Sequence, residues 1–156
     1  MPPILREDPY GGFNFIVEID GISDDGKAYQ GAFMEVANLE AEVAAIDYRN
    51  GNEEMRLRKL PGLSKYKAIT FKRGVIGDLR FWNWIRKAAT GNQELRASTG
   101  RVILRNEAGE EVMRWNLTRC WPSKYTGPSL NAKNSEIALE TLEMQIERLE
   151  IDGQSP

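Results

Sequence analysis

The sequence contains no histidine and a single cysteine, Cys120. Without histidine the commonest general base and metal ligand is gone, and with it every Ser-His or Cys-His nucleophile arrangement. One cysteine excludes an internal disulfide and a cysteine-based zinc site. Within the apolar run MRWNLTRCW it reads as a buried thiol. No Asp/Glu pair has a context that marks it as catalytic, so the chain is read as non-enzymatic, with no cofactor and no metal. No run approaches the ~20 apolar residues of a membrane span. The N-terminus, MPPILREDPYGG, lacks the basic-then-apolar pattern of a secretory signal. Synthesis in the cytoplasm without a signal peptide, and no membrane anchor, are the expectations.

What is present is one domain's worth of chain, residues 1–156, with enough apolar content to bury a core. The net charge of −2 argues against a general nucleic-acid binder, whose domains are usually strongly basic. Yet the charge is segregated. Residues 47–67 carry six basic side chains against three acidic ones, and residues 136–152 carry six acidic against Arg148 alone. Two solvated faces of opposite bias would explain this. So would a positive segment that docks on a negative one of another copy.

Period-two patterning dominates. Phe13, Phe15, Val17 and Ile19 share one face of a strand that ends at Asp20-Gly21. A turn at Asp25-Gly26 leads into Ala32 to Tyr48, where Leu39, Ala41, Val43 and Ala45 alternate with Glu40, Glu42 and Ala44. Asn50-Gly51 supplies the positive φ of a tight hairpin turn. The chain should reverse there and return through Arg56, Arg58 and Lys59 to Leu60, with Pro61-Gly62 closing a projecting arm over residues 47–60. Lys67 to Arg73 alternates again. One helix is predicted over 78–90, with Asp78 as N-cap, Leu79, Trp82, Ile85 and Ala89 on its apolar face, and Gly91 as its stop. A hairpin about Ala108-Gly109 should place Met113, Trp115, Leu117 and Trp121 inward.

The closing run, SEIALETLEMQIERLEI, is rich in helix formers, but as a helix it would carry apolar residues on two opposite faces. As a strand, Leu142, Met144 and Ile146 alternate with Glu143 and Glu147, with phase slips at both ends that need a bulge or a change of partner. Pattern outweighs propensity, and a strand is predicted. So acidic a strand has little intrinsic reason to form alone. The fold class is therefore mainly β, a two-sheet barrel or sandwich with one flanking helix and a projecting hairpin.

The stretches DPYGGFNFIVEIDG, VANLEAEVAAIDYRNGN, RKLPGLSKYKAITFKRG and MRWNLTRCWPSKYTGPSLNAKNSEIALETLEM, in this order, resemble the inner-tube proteins of contractile phage tails and related bacterial contractile injection systems. The resemblance spans nearly the whole chain. It extends, mainly in fold, to the secreted tube protein of type VI secretion. It implies a single tail-tube domain with an N-terminal extension over residues 1–9, six copies closing into a ring, and rings stacked into a tube inside a contractile sheath. Sheets of adjacent subunits would join around a channel, the acidic terminal strand being one stave of that intersubunit barrel.

By the same resemblance, the arm bridges neighbouring subunits and stacked rings, which nominates Tyr48, Arg49, Asn50, Gly51, Arg56, Arg58, Lys59 and Leu60 as interface residues. Leu60 to Tyr66 would lead back to the sheet, and Trp121 to Tyr125 would form the turn before the last strand. Glu143 and Glu147 would face the channel or a neighbour. The implied partners are further copies of the chain, the sheath, baseplate and terminator proteins of the same particle, and protein or DNA cargo. Assembly would occur in the bacterial cytoplasm, with release of the particle from the cell as an option. Two alternatives stand beside this: a tube initiator or terminator, and a free ligand- or nucleic-acid-binding barrel that stacks its ligand on Tyr48, Tyr66 and Phe71.

Overall fold

Alternation of apolar and polar side chains builds most of the molecule. The computed structural model describes residues 3–20, 29–31, 33–49, 51, 58–91, 98–133 and 135–151. Its elements in chain order are β1 (Phe15–Ile19), β2 (Tyr29–Gly31), β3 (Glu35–Ala37), β4 (Ala41–Tyr48), β5 (Arg58–Tyr66), β6 (Ile69–Gly74), α1 (Arg80–Ala89), β7 (Ser98–Arg105), β8 (Glu111–Thr126), β9 (Leu139–Gln145) and β10 (Arg148–Ile151). The body is one antiparallel path, β2-β1-β7-β8-β9-β6-β3, with β10 added to β8, while β4 and β5 pair only with each other. The turn expected at Asp25-Gly26 lies outside the described residues.

The 16-residue β8 belongs to two sheets. Its first part pairs with β7 and β10, and its last part, from Trp121 to Thr126, pairs with β9. The switch falls at Arg119, whose φ of 52° is left-handed, at a register shift that opposes Gly100 to Leu117 but Ser98 to Cys120. A bulge of this kind bends a strand and resets its alternation. Leu117 and Cys120 are both buried as a result, and Trp121 turns to the outer face opposite Gln145. Trp121 is thus not inward, as its spacing from Leu117 suggested. Nor is Trp121 to Tyr125 a turn. Pro122 is tolerated in the strand because, among the described residues, this part of β8 pairs only with β9.

β9 lies between β6 and β8, bonded on both edges within one chain. Neighbouring strands thus hold it, as so acidic a strand requires. Leu142, Met144 and Ile146 point into the core. The C-terminal phase slip is a break: β9 stops at Gln145, the Glu147 amide donates to the Thr118 carbonyl at 3.1 Å, and β10 resumes along Trp115 to Thr118.

The helix is slightly shorter than its predicted span of 78–90. Leu79, not Asp78, is the N-cap residue: the first helical residue is Arg80, and the Asp78 carboxylate accepts its backbone N–H at 3.0 Å from one position before the cap. Its buried face is Phe81 and Trp84, with Ile85 and Ala88 partly covered; Leu79 and Trp82 are exposed. Both faces have helical spacing, and what decides between them is Phe33. Its ring lies 5.6 Å from Phe81 and 5.5 Å from Phe71, so Phe81 faces the sheet. These rings join Val17, Ile19, Ile69, Val102, Leu117, Cys120, Leu142 and Met144 in one core, with Trp115 and Phe15 packed against it. Phe13, expected inward with Phe15, precedes β1 and is exposed. The N-terminal segment is tied to the β7–β8 hairpin by the Ile4 amide on the Val112 carbonyl at 3.0 Å and by Arg6 on Glu107 at 3.0 Å.

Candidate assembly surface

Asn38 starts the arm. It adopts a φ of 72°, which asparagine tolerates better than most residues, and its amide donates to Thr70 Oγ1 at 3.3 Å. The chain then leaves the sheet as β4, and β5 brings it back. Among its described residues, only Leu39 and Tyr66, at the base of this hairpin, pack against the core. The pairing runs from Ala41 opposite Tyr66 to Tyr48 opposite Arg58. The arm is therefore longer at its root than residues 47–60, and Pro61-Gly62 lies inside β5 rather than closing it. Leu60 to Tyr66 is strand, not a lead back to the sheet. Among the described residues the pairing ends at Tyr48 opposite Arg58; Gly51 is a turn residue, and the rest of the turn expected at Asn50-Gly51 lies outside the described residues.

A register shift between Val43 and Ala45 divides the arm's two faces. Val43 pairs with Ser64 but Ala45 with Pro61, so the extra residue lies on β5, where Gly62 and Leu63 oppose Ala44, and β4 keeps its alternation, which sets Val43 on one side and Ile46 on the other. The Ile46 side also carries Tyr48, Arg58 and Leu60 by cross-strand register. Gly62 sits beneath it. A Cβ there would lie 3.0 Å from the Ala44 carbonyl oxygen and 3.1 Å from the Ile46 side chain. Glycine is thus what lets Ile46 lie flat across the hairpin. Ile46, Tyr48 and Leu60 remain 46–52% exposed. The other face pairs Lys59 with Asp47 at 3.6 Å and sets Val43 opposite Ser64.

A second exposed apolar surface lies at the opposite end of β6. Gly74 pairs with Leu139, the Val75 amide donates to the Ala138 carbonyl at 3.0 Å, and Ile137 Cγ2 lies 3.8 Å from where a Gly74 Cβ would be. Val75, Ile76, Leu79, Ile137 and Leu139 are all exposed there. The corner is held from beneath by buried charge. Arg73 hydrogen-bonds Glu140 through Nε, Tyr125 OH donates to Glu140 Oε2 at 2.7 Å, and Arg73 Nη2 donates to the Asp78 carbonyl at 3.2 Å. The Arg73 guanidinium also lies 4.1 Å from the Phe81 ring centroid. The hydrogen bond to Glu140, together with burial, raises the Tyr125 phenol pKa. The side-chain bond from Arg80 lowers Asp78 to about 2 against the opposing effect of desolvation. Burial pushes the Cys120 thiol up to about 12, which leaves it unreactive.

Of the residues singled out in the sequence, Tyr48, Arg58 and Leu60 share the apolar face of the arm and Lys59 lies on the charged one. Arg49 and Gly51 are exposed. Asn50 and Arg56 lie outside the described residues. Glu143 is on the outer face of β9 opposite Thr70 and Lys124, whereas Glu147 sits in the break after β9, 3.8 Å from Arg119. Ile46, Gly62 and the Val75–Leu139 corner were missed. The alternation of Ile46 with Tyr48, facing a glycine across the hairpin, was the available signal for that face of the arm. Among the described residues no group of His, Cys, Asp and Glu could hold a metal, and no helix is long and apolar enough to cross a membrane.

Two antiparallel sheets sharing a bent strand, one flanking helix and a detached hairpin define the fold of contractile-system tubes. One chain with this fold, in the anti-feeding prophage cap described as the tube terminating cap, is 28% identical over 96% of this chain and 94% of that one, with a TM-score of 0.78. A chain of the sheath-tube complex of the PVC extracellular contractile injection system is 26% identical over 94% and 93%, with a TM-score of 0.76. Hcp1 from Flavobacterium johnsoniae shares the fold at 15% identity over 89% and 96%, TM-score 0.54. Comparison with the curated proteins gives no match. The chain belongs to the family of the T4-like virus tail tube protein gp19, whose model matches residues 11–150.

Proposed function

We propose that the protein is the main subunit of the inner tube of a contractile injection system, that six copies close into a ring, and that rings stack into a hollow conduit. The observation that carries this is the β4–β5 arm, which keeps an apolar face in solvent. Exposed apolar surface of this kind marks a contact with another protein. Family membership over residues 11–150 supplies the class of assembly. The arm residues Tyr48, Arg49, Asn50, Gly51, Arg56, Arg58, Lys59 and Leu60 bridge copies. Glu143 and Glu147 face the channel or a neighbouring subunit. The sheath, baseplate and terminator proteins of the same particle are the remaining partners, and protein or DNA is the cargo. The particle is assembled in the bacterial cytoplasm and acts outside the cell that made it. The role is mechanical rather than catalytic: many modest contacts, multiplied by copies and closed by symmetry, make a rigid conduit.

A tube-end role is the second reading, favoured by the 28% identity to a tube terminating cap. Sedimentation of the purified chain tests the main one. A species of six chains and larger multiples of it are expected. A monomer at every concentration would contradict ring closure.

A further inference from the structure

The two exposed apolar surfaces sit at opposite ends of one strand. Both strands of the arm leave the body at the Ile69 end of β6, where Ala37 pairs with Thr70 and Tyr66 precedes Ile69 by a short link. The apolar corner begins at the other end, where Gly74 pairs with Leu139. At ~3.3 Å per residue, that separation is roughly 17 Å along β6. Beyond its base the arm projects from the body, so its apolar face does not fold back over the corner of its own chain.

We propose that the arm's apolar face, Ile46, Tyr48 and Leu60, seats on the corner formed by Val75, Ile76, Leu79, Ile137 and Leu139 of a second copy. This rests on the tube reading and names the two surfaces that meet. Three observations select a copy of this chain as the occupant. Each surface is apolar and in solvent, and one chain supplies both. Their placement at opposite ends of β6 makes the contact head-to-tail, so every subunit can give an arm and receive one. Charge agrees as well: Arg58 shares the arm's apolar face, and exposed Glu136 adjoins Ile137 at the corner. The sequence bias of residues 47–67 toward basic and of 136–152 toward acidic side chains has the same sense.

The bulge on β5 then has a purpose. It sets Gly62 beneath Ile46, which keeps the face that carries Ile46, Tyr48 and Leu60 low enough to lie against another surface.

The test places one cysteine on each surface, Ile46→Cys and Ile137→Cys, in the full chain and adds a short bis-maleimide crosslinker after assembly. Cys120 is buried, so the introduced thiols are the reactive ones. A ladder of covalently linked chains from the double variant, with neither single variant giving more than a linked pair, is the expected result. Rings or tubes that form normally but give no ladder would overturn the contact while leaving the tube reading in place. A wild-type chain that never assembles would overturn both. A charge exchange gives an independent arm of the test. Arg58→Glu and Glu136→Arg should each raise the concentration needed for assembly about tenfold, on the order of one charge pair. Combining them should recover most of the loss; single variants that assemble like wild type would count against the pairing.

Discussion

Arg73 and Glu140 face each other across β6 and β9, both buried, with 3% and 6% of their surfaces exposed. Glu140 also accepts the Tyr125 hydroxyl, and Arg73 also reaches Asp78 at the start of the helix. One pair therefore joins β6, β8, β9 and α1 beneath the apolar corner. Removing one partner of a buried pair strands the other charge. Arg73→Met should cost about 3–5 kcal/mol in urea unfolding, and the double replacement Arg73→Met with Glu140→Leu should cost clearly less.

Asp78 gives this corner a pH dependence. Its carboxyl is lowered from 3.8 to about 2. A depressed acid stabilises the fold fully above its unfolded pKa and loses that contribution as pH falls. The loss should therefore fall between about pH 4 and pH 2. It should amount to on the order of 1 kcal/mol after solvent screening on the Arg80 side. Asp78→Asn should be less stable at neutral pH and should lack that component of acid unfolding, measured by denaturant melts across the range.

The two tryptophans of the helix should separate cleanly. Trp84 is 1% exposed, while Trp82 is 46% exposed and meets only the edge of Tyr125 at 5.7 Å. Trp84→Ala should cost about 3–5 kcal/mol. Trp82→Ala should cost about 1 kcal/mol or less. Equal losses in thermal or urea unfolding would contradict the orientation of the helix.

Gly62 should matter to assembly and not to folding. The arm packs on the core only at its base, so Gly62→Val should change monomer stability by less than about 1 kcal/mol. Its side chain would collide with the Ala44 carbonyl and Ile46 and push the bulge out of place. Sedimentation should show monomer where wild type assembles. Melting of the same sample should stay near the wild-type value.

Much of the fold was readable from alternation. Val17 and Ile19, Ile69 and Phe71, and Leu142 and Met144 follow period two, and strong burial on one face leaves little choice of register. What alternation could not show was where it resets. Arg119 is a bulge residue of ordinary type, and nothing in its chemistry announces a left-handed φ. Trp121 was misplaced for that reason. The helix was located from its stop and its acidic start, but its buried face depended on Phe33, distant in sequence. Glu140 was legible as a strand residue. Its burial was not, because the partner that permits it, Arg73, lies on another strand. At the assembly surface the charged residues of the arm stood out, whereas the apolar face emerged only with the cross-strand register.

The most direct measurement is electron microscopy of the purified chain without any partner protein. Hollow rings with sixfold symmetry, stacked end to end into tubes of uniform bore, are expected for a main tube subunit. Isolated rings that never stack would contradict that role and favour a tube end, and discrete monomers at every concentration would contradict the tube altogether.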